Sequence, residues 1–169
     1  MWVIPEEAIN AYFAARAESS GSKLRNPALR LLDGNAMVIS FDSKLGRVAL
    51  TCEVKEFVHN QTESYAELYV RKKEIANQPV LSWMLRFIPM GALVDLYGKP
   101  LADGQPVEAR FAGNTLQVNF RPLVERSLLS NDFGKRVEIG SVTTQEGLLE
   151  LHTNLRPADM LGLLTGAQQ

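Results

Sequence analysis

Met37-Val38-Ile39-Ser40-Phe41-Asp42, followed after the Leu45-Gly46 turn by Val48-Ala49-Leu50-Thr51-Cys52-Glu53-Val54-Lys55, is the stretch that decides the fold. Its apolar residues recur at every second position: Met37, Ile39 and Phe41, then Val48, Leu50, Cys52 and Val54. Successive side chains of a strand point to opposite faces of a sheet. This period therefore sets one apolar row against a row of Val38, Ser40, Asp42, Ala49, Thr51, Glu53 and Lys55. Upstream, Leu29 and Leu31 lead into Asp33-Gly34-Asn35, a turn signal. Downstream, His59-Asn60-Gln61-Thr62 reads as a loop. Ala66, Leu68 and Val70 then resume the alternation with Tyr65, Glu67, Tyr69 and Arg71. Residues 28–75 are expected to form an antiparallel meander with one apolar and one wet face.

Helical signals flank the meander. Pro5 suits a helix start, and Glu6 and Glu7 suit its positive first turn. Ile9, Tyr12 and Phe13 follow at helical spacing, which predicts a helix over 4–18. After the meander, Asn77 can cap a helix with Pro79 just inside it. Residues 79–97 are apolar almost all round, through Trp83, Phe87, Met90 and Leu96. Such a helix is expected to be buried on most sides, with a kink or break at Pro89 and Gly91. Strands return over 105–155, with Phe111 before the Gly113-Asn114 turn and Phe120 after it. A short helix led by Pro122 interrupts them, and a C-terminal helix is predicted over 157–165. No linker divides the chain, so residues 1–169 read as a single α+β domain.

Composition narrows the chemistry. The 169 residues carry 18 Lys+Arg and 19 Asp+Glu, a formal charge of -1, with 46% hydrophobic and 22% charged residues. That balance argues against a nucleic-acid partner, which needs a basic excess or a dense basic patch. One cysteine and two histidines nearly exclude a Cys/His zinc cage. No metal site and no cofactor is expected. Neither a nucleophile elbow, a phosphate loop nor a dinucleotide fingerprint occurs, so no catalytic residue is assigned and the chain is read as a non-enzyme. The N-terminus has no basic n-region and no apolar h-region, which points to the cytoplasm, or to the envelope if a leader was removed. The apolar stretch over 80–97 holds Arg86, Pro89 and Asp95 and does not read as a membrane span.

Individual candidates have plain structural readings. Cys52 sits in the apolar row, as a small core hydrophobe. His59 falls in a polar loop and His152 on the wet side of the last strand. Asp33, Asp42 and Asp103 stand beside turns, where Asp binds its own backbone. Arg71-Lys72-Lys73 reads as a solvated strand end, or as a contact for an anionic headgroup. The stretch from Trp83 to Met90 suits either a core helix or the wall of an apolar cavity; a membrane-surface helix is a third reading, which its thin polar face disfavours.

One resemblance bears on that choice. The opening Ile4-Pro5-Glu6-Glu7-Ala8-Ile9-Asn10-Ala11-Tyr12-Phe13, the apolar strand from Leu29 to Phe41, and Leu45-Gly46-Arg47-Val48 are three of its parts. The Pro-led apolar helix and the final Gly147-Leu148-Leu149-Glu150-Leu151 complete it. Over residues 4–155 this order resembles the small bacterial tubular lipid-binding (TULIP/BPI-like) proteins. The resemblance implies a highly twisted antiparallel sheet wrapped around a long apolar helix, with a lipid in the groove between them. It carries over no catalytic residue. The expected function is non-catalytic binding of a lipid or other hydrophobic ligand by Trp83, Phe87 and Met90, with Phe41, Phe111 and Phe120 from the strands. The alternative is a structural or interaction module that dimerises through its apolar helix or sheet. A weaker third reading is an enzyme whose carboxylates meet only in the fold. Expected partners are a lipid or hydrophobic small molecule, a membrane surface met peripherally, and a second copy of the chain.

Overall fold

The alternation from Met37 to Val54 becomes two neighbouring strands of an antiparallel sheet in the computed structural model, which describes residues 1–19, 25–92, 108–122 and 136–156. In chain order these residues form β1 (Trp2–Pro5), α1 (Glu6–Ser19), β2 (Arg25–Leu32), β3 (Ala36–Ser43), β4 (Gly46–His59) and β5 (Ser64–Ile75). There follow α2 (Pro79–Leu85), β6 (Glu108–Ala112), β7 (Thr115–Asn119), β8 (Ile139–Gln145) and β9 (Leu148–Thr153). The fold is a sheet-dominated α+β arrangement.

The long strand β4 organises the sheet. One of its edges pairs with β5 from Val48 to His59. The other pairs with β3 from Gly46 to Glu53 and then meets β8 where His59 faces Ile139. From β5 the sheet continues to β7 and β6, and from β8 to β9 and β1. Register aligns the rows read from the sequence: Leu31, Met37, Cys52 and Val70 are successive cross-strand partners. Leu29, Ile39, Leu50 and Lys73 form the next row. The β4–β5 ladder slips between Thr51 and Cys52 and between Val54 and Glu56. Such bulges bend a strand and raise its local twist.

The β2–β3 hairpin locks onto the β8–β9 hairpin. Gly34 and Asn35 both take positive φ, 73° and 59°, which a tight hairpin turn requires and which Gly and Asn tolerate. The turn is tied at several points. Buried Thr144 places its hydroxyl 2.7 Å from the Leu32 carbonyl and 3.0 Å from that of Ala36. The Thr144 and Glu146 amides donate to the Asn35 and Asp33 side chains. Asp33 is thus spent on structure.

β2 pairs with β3 and leaves its other edge open. α1 closes it with side chains rather than with a strand. The Asn10 amide accepts from the Leu29 N–H and donates to the Leu29 carbonyl, both at 2.8 Å. The Glu6 carboxylate accepts from the Leu31 N–H at 2.6 Å. Asn10→Ala strips both partners from Leu29, and the expected cost is about 1–2 kcal/mol. A lower urea midpoint together with a raised aggregation rate would check this, because an uncovered edge invites a foreign strand.

Several expectations need correction. The first helix begins at Glu6, because Trp2–Pro5 is a strand paired with β9. Asn77 does not cap α2: it takes φ 60°, and Gln78 stands at the N-cap without a side-chain bond. α2 spans Pro79–Leu85, and no long apolar helix is present among the described residues. The helical run ends before Pro89, whose ring cannot continue it. Residues 93–97, the helix after Pro122 and the helix over 157–165 lie outside the described residues. His59 is not a surface loop residue. It closes β4, buried, with Nδ1 2.8 Å from Ser64 Oγ and its ring near Phe120.

Candidate functional site

The apolar face is built by the strands themselves. Cys52, Val70 and Met90 are buried together, with Met37, Ile39, Leu50 and Phe111 packed around them. Register extends the face in two directions. Phe41 stands opposite Val48 at one end, and Phe57 opposite Ala66 at the other. Phe120 stacks on Phe57 with ring centroids 5.2 Å apart. Apart from the buried trio, these side chains are half-buried. Burial pushes the Cys52 thiol up to about 11, so it stays a neutral hydrophobe at neutral pH.

Of the six side chains expected to hold a ligand, Phe41, Phe111, Phe120 and Met90 belong to this face. Met90 sits inside its packed centre. Trp83 and Phe87 do not join them. In α2 and the turn that follows it, Leu81, Leu85 and Ile88 are half-buried, whereas Val80, Trp83, Met84 and Phe87 are exposed to solvent. Phe87 is 70% exposed and Trp83 59%, their rings edge to face at 5.1 Å.

What sets this orientation is a cluster of polar ties absent from the sequence reading. Ser82 Oγ accepts from the Ile75 N–H at 2.9 Å. Lys73 donates to the Ile88 carbonyl and, at 3.1 Å, to Asn114 Oδ1. The same Asn114 oxygen accepts from the Met90 N–H at 3.1 Å. Lys73 is only 7% exposed, on the apolar face beside Leu50. Burial holds its amine below the usual lysine value. Between that lowered value and the ordinary 10.5, the unfolded chain binds more protons than the folded one. Stability linked to Lys73 is therefore complete above 10.5 and lost as pH falls through the folded value. The stability difference between the native chain and Lys73→Met should grow in the native chain's favour as pH rises from neutrality. Paired urea titrations at the two ends of that range would read it.

An open cleft of about 1550 Å³ lies beside α2 and is lined by residues of both rows of the sheet. Its floor includes Val38, Ser40 and Ala49, which alternate with the apolar row. Trp83 borders it, as does a set of charges in which Arg30, Arg47, Arg71, Lys72, Lys73 and Arg86 outnumber Glu6 and Glu74. Several of these cations lean on carboxylates: Arg47 on Asp42 and Lys72 on Glu74, both at 2.8 Å, and Arg71 on Glu53. Hydrogen bonds from Asn26 and Arg47 hold the Asp42 carboxyl below its ordinary value. A bond from Lys55, with Arg71 beside it, does the same for Glu53. Ion pairs at a protein surface contribute about 0–1 kcal/mol.

A base–hydroxyl pair occurs among the described residues. The His59–Ser64 contact pairs a base with a hydroxyl, and both residues are buried. No group of three or more His, Cys, Asp or Glu that could hold a metal occurs among the described residues. No described helix is long and apolar enough to cross a membrane. No protein-family model matches the chain, and no curated protein or solved structure is significantly similar to it. The resemblance to tubular lipid-binding proteins is neither supported nor opposed by these comparisons.

Proposed function

We propose that this chain binds a lipid or another hydrophobic ligand on the apolar face of its sheet, without catalysing a reaction. The observation that carries this reading is the state of that face. Large side chains, among them Phe41, Ile39, Leu50, Phe111 and Phe120, surround a small buried centre and remain half-buried. Covering such surface stabilises a complex by about 25 cal/mol per Å². Withdrawing roughly 300 Å² from water contributes about 7 kcal/mol before the cost of association. An adaptable Met37 beside flat aromatic rings suits an acyl chain better than a shape-specific polar ligand.

An environment-sensitive fatty-acid probe tests the reading. Saturable binding is expected, displaced by unlabelled fatty acid. Phe120→Ala and Phe41→Ala are each expected to weaken it about tenfold, through roughly 1.4 kcal/mol of lost contact. Probe binding that never saturates, or that both variants leave unchanged, would refute it.

A further inference from the structure

We propose that the hydrophobic ligand is a single-chain amphiphile with a carboxylate head, and that Lys73 receives that head while the chain runs over Leu50, Ile39 and Leu29. This inference rests on the ligand reading above and names the ligand's class. Lys73 lies on the apolar face, 7% exposed, opposite Leu50 of β4. A lysine is almost never buried so deeply without a counter-charge. Here both of its acceptors, the Ile88 carbonyl and Asn114 Oδ1, are neutral. No carboxylate lies within ion-pair distance of it among the described residues. Burial lowers its amine, and no neighbouring carboxylate raises it again.

The tie to residues 88–90 does not account for the charge. A neutral amide also donates to carbonyl oxygens, without the cost of burying a cation. An ammonium brings a third N–H as well. That N–H has no acceptor among the described residues. An anion that arrives with the ligand accounts for both the charge and the spare donor. The position of Lys73 suits that role. It borders the open cleft beside α2, together with Leu29, Val70 and Ile75. Arg86 borders the same cleft, exposed and without an ion pair among the described residues. From Lys73 the cross-strand row continues through Leu50 and Ile39 to Leu29, all half-buried. A head at Lys73 therefore has an apolar path leading away from it across three strands. One buried cation balances the single charge of a carboxylate. A phosphate monoester carries about 1.5 to 2 negative charges at neutral pH and would bring an unbalanced excess into an apolar setting.

Titration calorimetry with dodecanoate, dodecanol and dodecyl phosphate tests the head group at constant chain length. The native chain is expected to bind dodecanoate at least about tenfold more tightly than dodecanol, as a hydrogen bond to a charged group allows. Lys73→Gln keeps donors for Ile88 and Asn114 and removes the charge. It should bring the acid down to the affinity of the alcohol and leave the alcohol unchanged. The order of ligands on the native chain needs no variant, so it decides the matter even if Lys73→Gln folds poorly. Equal binding of acid and alcohol by the native chain would overturn the proposal, as would a folded Lys73→Gln chain that still prefers the acid. Tighter binding of dodecyl phosphate than of dodecanoate would overturn it too, by assigning the head to phosphate. Failure here is distinct from failure of the ligand reading. If acid and alcohol bind alike and Phe120→Ala weakens both, the apolar face stands and only the carboxylate falls. If none of the three binds, both readings fall.

Discussion

Leu31→Ala is expected to lower the unfolding free energy by about 3 kcal/mol, within the range seen for buried Leu→Ala changes. Leu31 has no exposed surface at all. It lies where three parts of the fold meet. Its side chain faces Met37 across the β2–β3 ladder. Its N–H donates to Glu6 of α1, and its carbonyl accepts from the Gly147 amide at 3.3 Å in the β8–β9 turn. The backbone around the site is fixed by these bonds, so it cannot collapse into the space that the substitution opens. In a chain of this size the loss corresponds to a melting temperature roughly 6–12 °C lower. Leu45→Ala removes the same atoms from an exposed turn and should stay within about 0.5 kcal/mol. Thermal and urea unfolding of both variants gives the comparison. A Leu31→Ala chain as stable as Leu45→Ala would mean that this junction does not hold the fold.

Thr144→Val is the second large effect, expected at about 2 kcal/mol. The side chains match in shape, so packing is nearly preserved and the hydrogen bonds are isolated. The single hydroxyl proton of Thr144 is shared between the Leu32 and Ala36 carbonyls, in a site that is 3% exposed. Valine leaves both oxygens without it, away from water that could replace it. Thr144→Ser keeps the hydroxyl and should recover most of the loss. If valine and serine behaved alike, the cost would come from packing and not from the tie between the hairpins.

The strands of the meander were legible because their period is local. Met37 to Phe41 and Val48 to Val54 alternate, and register then aligned the rows without further information. Phe41, Phe111 and Phe120 reached a common face for the same reason. β1 was missed because Trp2–Pro5 is short and runs straight into the helix signal of Pro5, Glu6 and Glu7. Lys73 was misplaced by a single bulge. Continuous alternation from Val70 would put Lys73 on the wet face. The slip at Thr51/Cys52 makes Arg71 an extra residue and turns Lys73 into the apolar face. No local pattern announces that shift.

The facing of the helical stretch that begins at Pro79 was illegible for a different reason, although its break at Pro89 was expected. Apolar residues on every side of a helix say that it avoids water, not which of its sides the protein covers. The orientation of α2 depends on Lys73, Ser82 and Asn114, which lie far apart in sequence or on another element. Trp83 and Phe87 therefore moved from the expected ligand wall to the surface, and Met90 moved into packed core. Four of the six expected residues remain on the face proposed for the ligand.

Native mass spectrometry of the chain purified from cells without detergent, with solvent extraction of a matched sample, tests that face most directly. The account predicts a population heavier than the polypeptide by the mass of a lipid-sized molecule. The same mass should appear in the extract, and it should be lost from a Phe41→Ala, Phe120→Ala chain that still unfolds cooperatively. A chain that flies only at its own mass, yields no extractable lipid and takes up none when it is offered would contradict it.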